Sequence, residues 1–172
     1  MDYSRRLESA YPNVTINTIR LGIAELRGEA MKAVDSPKLQ PEQKRMLKKA
    51  MGDCFQAADE MLLFLDKLYL LHRDWPVQHS FSVDWHRISK EVYVVGQNLC
   101  NYDVIGDRSS IMFWANTLMT GPSCRVECNM NGLISAFANC EKRFRTLTER
   151  MQNAIEDFLK ERKMLLEEKN LD

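Results

Sequence analysis

The sequence predicts an all-α protein, an up-down helical bundle of four rods in which the third rod is broken and the C-terminal helix is long and coiled-coil-like. Apolar residues recur at steps of three and four along most of the chain, a spacing that places them on one side of an α-helix. Seven glycines and five prolines leave long stretches without a helix breaker. The connections between these stretches are short, which favours antiparallel neighbours in a bundle.

The C-terminal helix is the longest predicted rod; it begins near Asn129 or Asn131 and extends to about Leu166. Its apolar seam has the spacing of a coiled coil. The seam residues are Met130, Leu133, Phe137, Cys140, Phe144, Leu147, Met151 and Ala154. Such a helix is about 55 Å long. Because the first rod is much shorter, we expect residues 160–172 to protrude from the bundle or to fray.

Two further helices are predicted in the first half of the chain. A flexible leader, residues 1–13, precedes a first helix that spans about residues 14–35 and stops before Pro37. The second helix starts at Pro41, a residue type favoured in a first helical turn, and continues to Arg73. Its second half is apolar on almost every side, which indicates contact with more than one neighbour.

The third rod is predicted in two pieces. Ser82 is a suitable N-cap for the first piece. The sequence from Asn101 to Asp107 contains several residues that interrupt helices, so we expect a break there. The second piece, capped by Asp107 or Ser109, stops at Gly121, a C-terminal glycine that is followed by proline.

Composition indicates one globular domain over residues 1–172. Hydrophobic residues make up 45% and charged residues 28%, which excludes a disordered chain. The 24 basic residues balance 24 acidic ones, so no overall field attracts nucleic acid or anionic lipid. The sequence shows neither a long apolar run nor a signal-peptide core. We therefore expect no membrane span and an intracellular protein, either cytoplasmic or nuclear.

No metal or cofactor is predicted. Three histidines recur every seven residues: His72, His79 and His86. Pro76 interrupts the helix between them, so this spacing does not bring them to one face. Cys124 and Cys128 form a lone pair without the second pair of ligands that a structural zinc site requires. Zinc binding, a redox role and simple reduced thiols therefore stay open for these two cysteines.

The sequence gives only thin support for catalysis, so a small helical enzyme ranks third among the functions considered. It contains no nucleophile elbow, phosphate-binding loop, zinc-protease motif or dinucleotide-binding glycine pattern. We therefore expect a non-enzymatic protein without a small-molecule substrate.

The start of the second helix carries a basic cluster, which we call the basic start. Its members are Lys44, Arg45, Lys48 and Lys49. The helix dipole disfavours cations near a helix N-terminus, so contact with a polyanion is one reason for their position. A nucleic-acid-binding bundle that uses the basic start is the alternative function.

The preferred function is that of an interaction or scaffold subunit that docks a protein partner, or a second copy of itself, through its helical seams. The first candidate interface is the aromatic loop after the second helix, which either closes one end of the bundle or anchors a partner. Its residues are Trp75, Phe81 and Trp85. The second is the end of the C-terminal helix, which the shorter rods leave uncovered. Its residues are Phe158, Leu159, Leu165 and Leu166.

Overall fold

The structure, a computed structural model, describes residues 16–74 and 102–171. All regular structure within these two ranges is helical. The elements are α1 (Ile16–Val34), α2 (Pro41–Asp74), α3 (Tyr102–Thr120), a 3₁₀ turn (Ser123–Arg125) and α4 (Val126–Leu171). The predicted all-α bundle with a long C-terminal helix is therefore confirmed.

The helices form two antiparallel hairpins, α1 with α2 and α3 with α4. The hairpins lie side by side, because α2 packs along α4 and α1 packs along α3. Both hairpin turns lie at the same end of the bundle, where the Lys38 ammonium donates hydrogen bonds to the carbonyls of Met119 and Gly121 at 2.8 and 2.6 Å. Successive helices thus alternate in direction, whereas the packed neighbours α2 and α4 run parallel.

The core follows the predicted seams. The largest side chains that are fully buried come from α2, α3 and α4, and they are Phe137, Phe144, Phe158, Leu47, Met61, Leu68, Ile111, Leu118, Leu133 and Met151. At the junction of the hairpins, the rings of Phe55 and Phe137 meet edge to face with centroids 6.3 Å apart. This contact lies near the middle of the shared α2–α4 seam.

The predicted break between Asn101 and Asp107 is wrong over its described part, because α3 is helical from Tyr102 onward. Gly106 is accommodated within this helix, because an interior glycine costs a helix only about 1 kcal/mol. Neither Asp107 nor Ser109 therefore caps this helix. The first piece of the predicted third rod lies outside the described residues.

The C-terminal helix begins at Val126, one turn earlier than predicted. The 3₁₀ turn leads directly into it, and the buried seam includes Val126 as well as Met130. Asn129 is not an N-cap; its side-chain amide is buried and donates to the Thr117 carbonyl at 3.4 Å. The asparagine therefore links the start of α4 to the end of α3.

Candidate interaction surfaces

The end of α4 differs in part from the predicted interface. Phe158 is only 2% exposed, so the expectation that it is uncovered is wrong. It continues the buried seam by one step of three beyond Ile155, as a core position should. Leu159 is 45% exposed, as predicted, and Met164 is 54% exposed. The side chains of Leu165 and Leu166 lie outside the described part of the chain.

Beyond Phe158, α4 continues as an unbroken helix to Leu171. We call residues 159–171 the distal segment. The Phe55–Phe137 contact marks a common level of the two parallel helices. Advancing along α4 from Phe137 by as many residues as separate Phe55 from the end of α2 reaches Glu156, so α2 ends level with Glu156. At 1.5 Å per residue, α4 then runs about 22 Å farther than α2. No described side chain of the distal segment is fully buried.

The predicted aromatic interface stays a prediction. Trp75, Phe81 and Trp85 lie outside the described residues, as do His79 and His86.

The basic start lies on the first turns of α2 and is largely exposed. Lys44, Arg45 and Lys48 line an open hollow of about 390 Å³ together with Leu39 and Pro41. The Arg45 guanidinium is paired with Glu42 at 2.6 Å, so part of the positive charge is neutralised within the same helix. No acidic side chain of the described ranges pairs with the three lysines of the basic start.

The cysteines divide into buried and exposed groups. Cys54 and Cys140 are buried in the core, whereas Cys124 and Cys128 are exposed beside the start of α4, and none of these four is in a disulfide. Within residues 16–74 and 102–171, no group of three or more His, Cys, Asp or Glu side chains is arranged to hold a metal ion.

A further surface was not predicted from the sequence. It is the outer side of α3, where one large aromatic residue, Phe113, is 61% exposed. We call this surface the uncharged face. Its members are Ser109, Ser110, Phe113, Asn116, Thr117 and Thr120. Between residues 109 and 140, only Arg125 and Glu127 are charged.

The signal for this face was present in the sequence. Periodic apolar residues mark a seam, but they give no signal for a helix on which both sides lack charge. In α3 apolar residues occur on every side, with partly buried Met112, Trp114 and Met119 flanking the exposed face. A helix of this kind is typically covered on more than one side.

No protein-family model, curated protein or solved structure matches this chain. The function must therefore be inferred from the surfaces of the molecule. Among the helices of the described residues, none combines the length and the apolar character needed to span a bilayer.

Proposed function

We propose that this chain is a non-enzymatic interaction or scaffold subunit that docks a helical partner along the distal segment of α4. The observation that supports the proposal is the length of this helix. It has 46 residues, whereas α2, its parallel neighbour, has 34. A helix that outlasts its neighbour leaves a surface for a further helix to cover.

The chemistry of the distal segment favours a helical partner. Leu159 and Met164 are exposed among charges of both signs, including Lys160, Lys163 and Glu167. Exposed apolar residues bordered by alternating charges are the features with which amphipathic helices select one another. We place the chain in the cytoplasm or nucleus, reducing compartments that would keep the exposed thiols of Cys124 and Cys128 reduced.

The proposal is tested with the full chain as bait in an extract of its own cells. Captured proteins should form lysine cross-links to Lys160 or Lys163. The double variant Leu159→Glu with Met164→Glu should lose these proteins, because it places a carboxylate at both exposed apolar positions of the distal segment, which lie on different sides of the helix. The matched control is Leu21→Glu with Met31→Glu, which changes two exposed apolar residues of α1 in the same way. Equal capture by both variants would contradict the proposal.

The alternative is binding of a polyanion to the basic start. Its specific support is the hollow in which Lys44, Arg45 and Lys48 converge. Neutralising phosphates by these residues would make binding depend steeply on salt. Binding is measured with a fluorescent single-stranded oligonucleotide. Binding that is lost when all four residues of the basic start are changed to Glu, but persists in the variant with Leu159→Glu and Met164→Glu, would favour this function instead.

A further inference from the structure

The uncharged face of α3 is unusual for the surface of this protein. About one residue in three is charged between residues 16 and 74, as is typical of helices with a solvated side. The outer positions of α3 from Ser109 to Thr120 instead carry hydroxyl, amide and aromatic side chains. Depletion of charge together with an exposed aromatic residue is the composition of an interface centre.

Two hydroxyl groups of the face can lose their water at low cost. The Thr117 hydroxyl donates to the carbonyl of Phe113 at 2.8 Å, and the Thr120 hydroxyl donates to the carbonyl of Asn116 at 2.8 Å. Burying a hydroxyl is costly only when its hydrogen bond is lost. Because both donors are satisfied within the helix, a partner that covers them need not supply an acceptor.

Phe113 is positioned to act as an anchor. Its ring packs edge to face on the neighbouring Trp114 indole, with centroids 5.2 Å apart and an interplanar angle of 78°. Trp114 is itself held against α4 over Gly132. The exposed ring therefore has a restrained orientation before any partner binds, and less conformational entropy is lost on binding.

The shape of the face complements itself. A large residue, Phe113, lies one turn after two small ones, Ser109 and Ser110. When two α3 helices pack antiparallel across a two-fold axis, each contact occurs twice: residue i of the first copy contacts residue j of the second, and residue j of the first contacts residue i of the second. With the axis midway between Ser110 and Phe113, each phenyl ring lies over the two serines of the other copy.

We propose that the uncharged face docks the same face of a second copy of this chain in this antiparallel arrangement. When two copies of the face meet, no like charges are brought together. The α1–α2 hairpin, in contrast, presents charged side chains to any surface that it contacts. The uncharged surface continues onto α4, where Cys128, Ser135 and Asn139 are exposed one or two turns from Gly132. Even so, it is smaller than the roughly 20–30 residues per side of a standard stable interface, so we expect a weak dimer that forms at high protein concentration.

The proposal that a second copy of the chain covers the uncharged face is tested by the oligomeric state in solution. Sedimentation equilibrium of the full chain should show a reversible dimer, and Phe113→Glu should weaken it at least tenfold. The matched control is Leu21→Glu, because Leu21 is 65% exposed on α1 and gains the same charge. Ser110→Phe, which fills the small half of the face, should also weaken the dimer tenfold. Circular dichroism and the urea midpoint of each variant establish that the fold is retained.

The geometry has its own test. A spin label is attached to the cysteine of Thr120→Cys, in a chain in which Cys100, Cys124 and Cys128 are replaced by serine. In the antiparallel dimer each residue 120 is about 8.5 residues from the two-fold axis, so the two labels should lie about 25 Å apart. A parallel pairing would bring the labels to within about 10 Å. A chain that is monomeric at about 500 µM, a dimer that Phe113→Glu leaves intact, or the short label distance would each overturn the proposal.

These outcomes are separate from those for the distal segment. The dimer should persist in the variant with Leu159→Glu and Met164→Glu. If that variant alone abolishes self-association, the second copy docks on α4 and the inference about α3 is wrong. If the dimer persists and capture from extract is unaffected by the same variant, only the proposal about the distal segment fails.

Discussion

The two hairpins of this bundle hold together by different interactions. Between α1 and α2, the Arg27 guanidinium donates to both carboxylate oxygens of Asp59 at 3.0 and 3.1 Å and to the Phe55 carbonyl at 3.3 Å. The same guanidinium lies 5.0 Å from the centre of the Phe55 ring. Arg20 forms a second ion pair with Asp66 farther along the hairpin.

The α3–α4 hairpin is held by a close apolar contact. A methyl group built on Gly132 would lie 2.5 Å from the nearest atom of the Trp114 indole, so the two helices approach to a distance that only glycine permits. In the other hairpin, Gly22, Gly28 and Gly52 have nothing within 4 Å of such a methyl group. The α1–α2 hairpin thus places charge at its helix contact, whereas the contact of Gly132 with Trp114, in the described part of the α3–α4 hairpin, involves no charged side chain.

This difference bears on which side of the molecule is available to a partner. Ion pairs at a helix contact leave charged side chains partly in water, and such a surface resists burial. A contact made by glycine and tryptophan needs no charge, so the outer side of the same hairpin can remain apolar. The uncharged face of α3 lies on the hairpin in which the described contact of Trp114 with Gly132 is made without charged residues.

Separating the two hairpins should have the largest effect on stability. Phe137→Ala removes a fully buried ring that packs on Phe55 across the junction of α2 and α4. We expect a loss of about 3–5 kcal/mol in the free energy of unfolding, measured by urea denaturation monitored by circular dichroism. Phe113→Ala removes an identical ring from the surface and should change the value by less than about 0.5 kcal/mol. Equal losses would contradict the described junction.

Glycine substitution should distinguish the hairpins by sign. Gly132→Ala forces a methyl group into the Trp114 indole and should cost about 1–3 kcal/mol. Gly28→Ala, in open space on α1, should instead stabilise the protein by about 0.5–1 kcal/mol, because alanine is the better helix former. Urea midpoints measured under one set of conditions report both. A stabilising Gly132→Ala would show that the close approach of α3 and α4 is wrong.

Much of the fold was predictable from the sequence, because apolar periodicity reports a core directly. The α2 bounds were predicted to within one residue, and the seam from Met130 to Met151 is buried as expected. The parallel packing of α2 on α4 was not predictable in this way. Periodicity shows which side of a helix is buried, but not which other helix covers it.

The surfaces were predicted less well, and for a physical reason. Phe158 was assigned to a partner from helix length alone, although its spacing from Ile155 already placed it on the seam. The uncharged face was missed because Phe113 adds no periodic signal. Only the scarcity of charge over residues 109–140, where Arg125 and Glu127 are the charged residues, marks it in the sequence. Lys38 lies near the basic start in sequence, but its ammonium binds the backbone carbonyls of Met119 and Gly121. This contact depends on the meeting of the two hairpin turns, which the sequence does not reveal.

The joint between the two turns should have an intermediate effect. Lys38→Met keeps most of the apolar stem but removes the ammonium that binds the Met119 and Gly121 carbonyls at the C-terminus of α3. Charged hydrogen bonds at a helix C-terminus are favourable, so we expect a loss of about 1.5 kcal/mol. Lys32→Met is the matched control and should be close to neutral, because Lys32 pairs with Glu29 on an exposed side of α1. Losses of the same size would mean that Lys38 does not join the turns.

The smallest effect should come from the charged contact of the first hairpin, and salt should distinguish it from the apolar contact of the second. Arg27→Ala removes a partly exposed ion pair and the contact with the Phe55 ring, so we expect a loss of about 0.5–1 kcal/mol at low ionic strength. At about 1 M sodium chloride the Debye length falls to about 3 Å, and the ionic part of that loss should diminish. The loss for Gly132→Ala should not change with salt, since the clash with Trp114 involves no charge. Urea midpoints of both variants at low and high salt provide the measurement. If both losses respond to salt alike, the hairpins do not differ in the way that their contacts indicate.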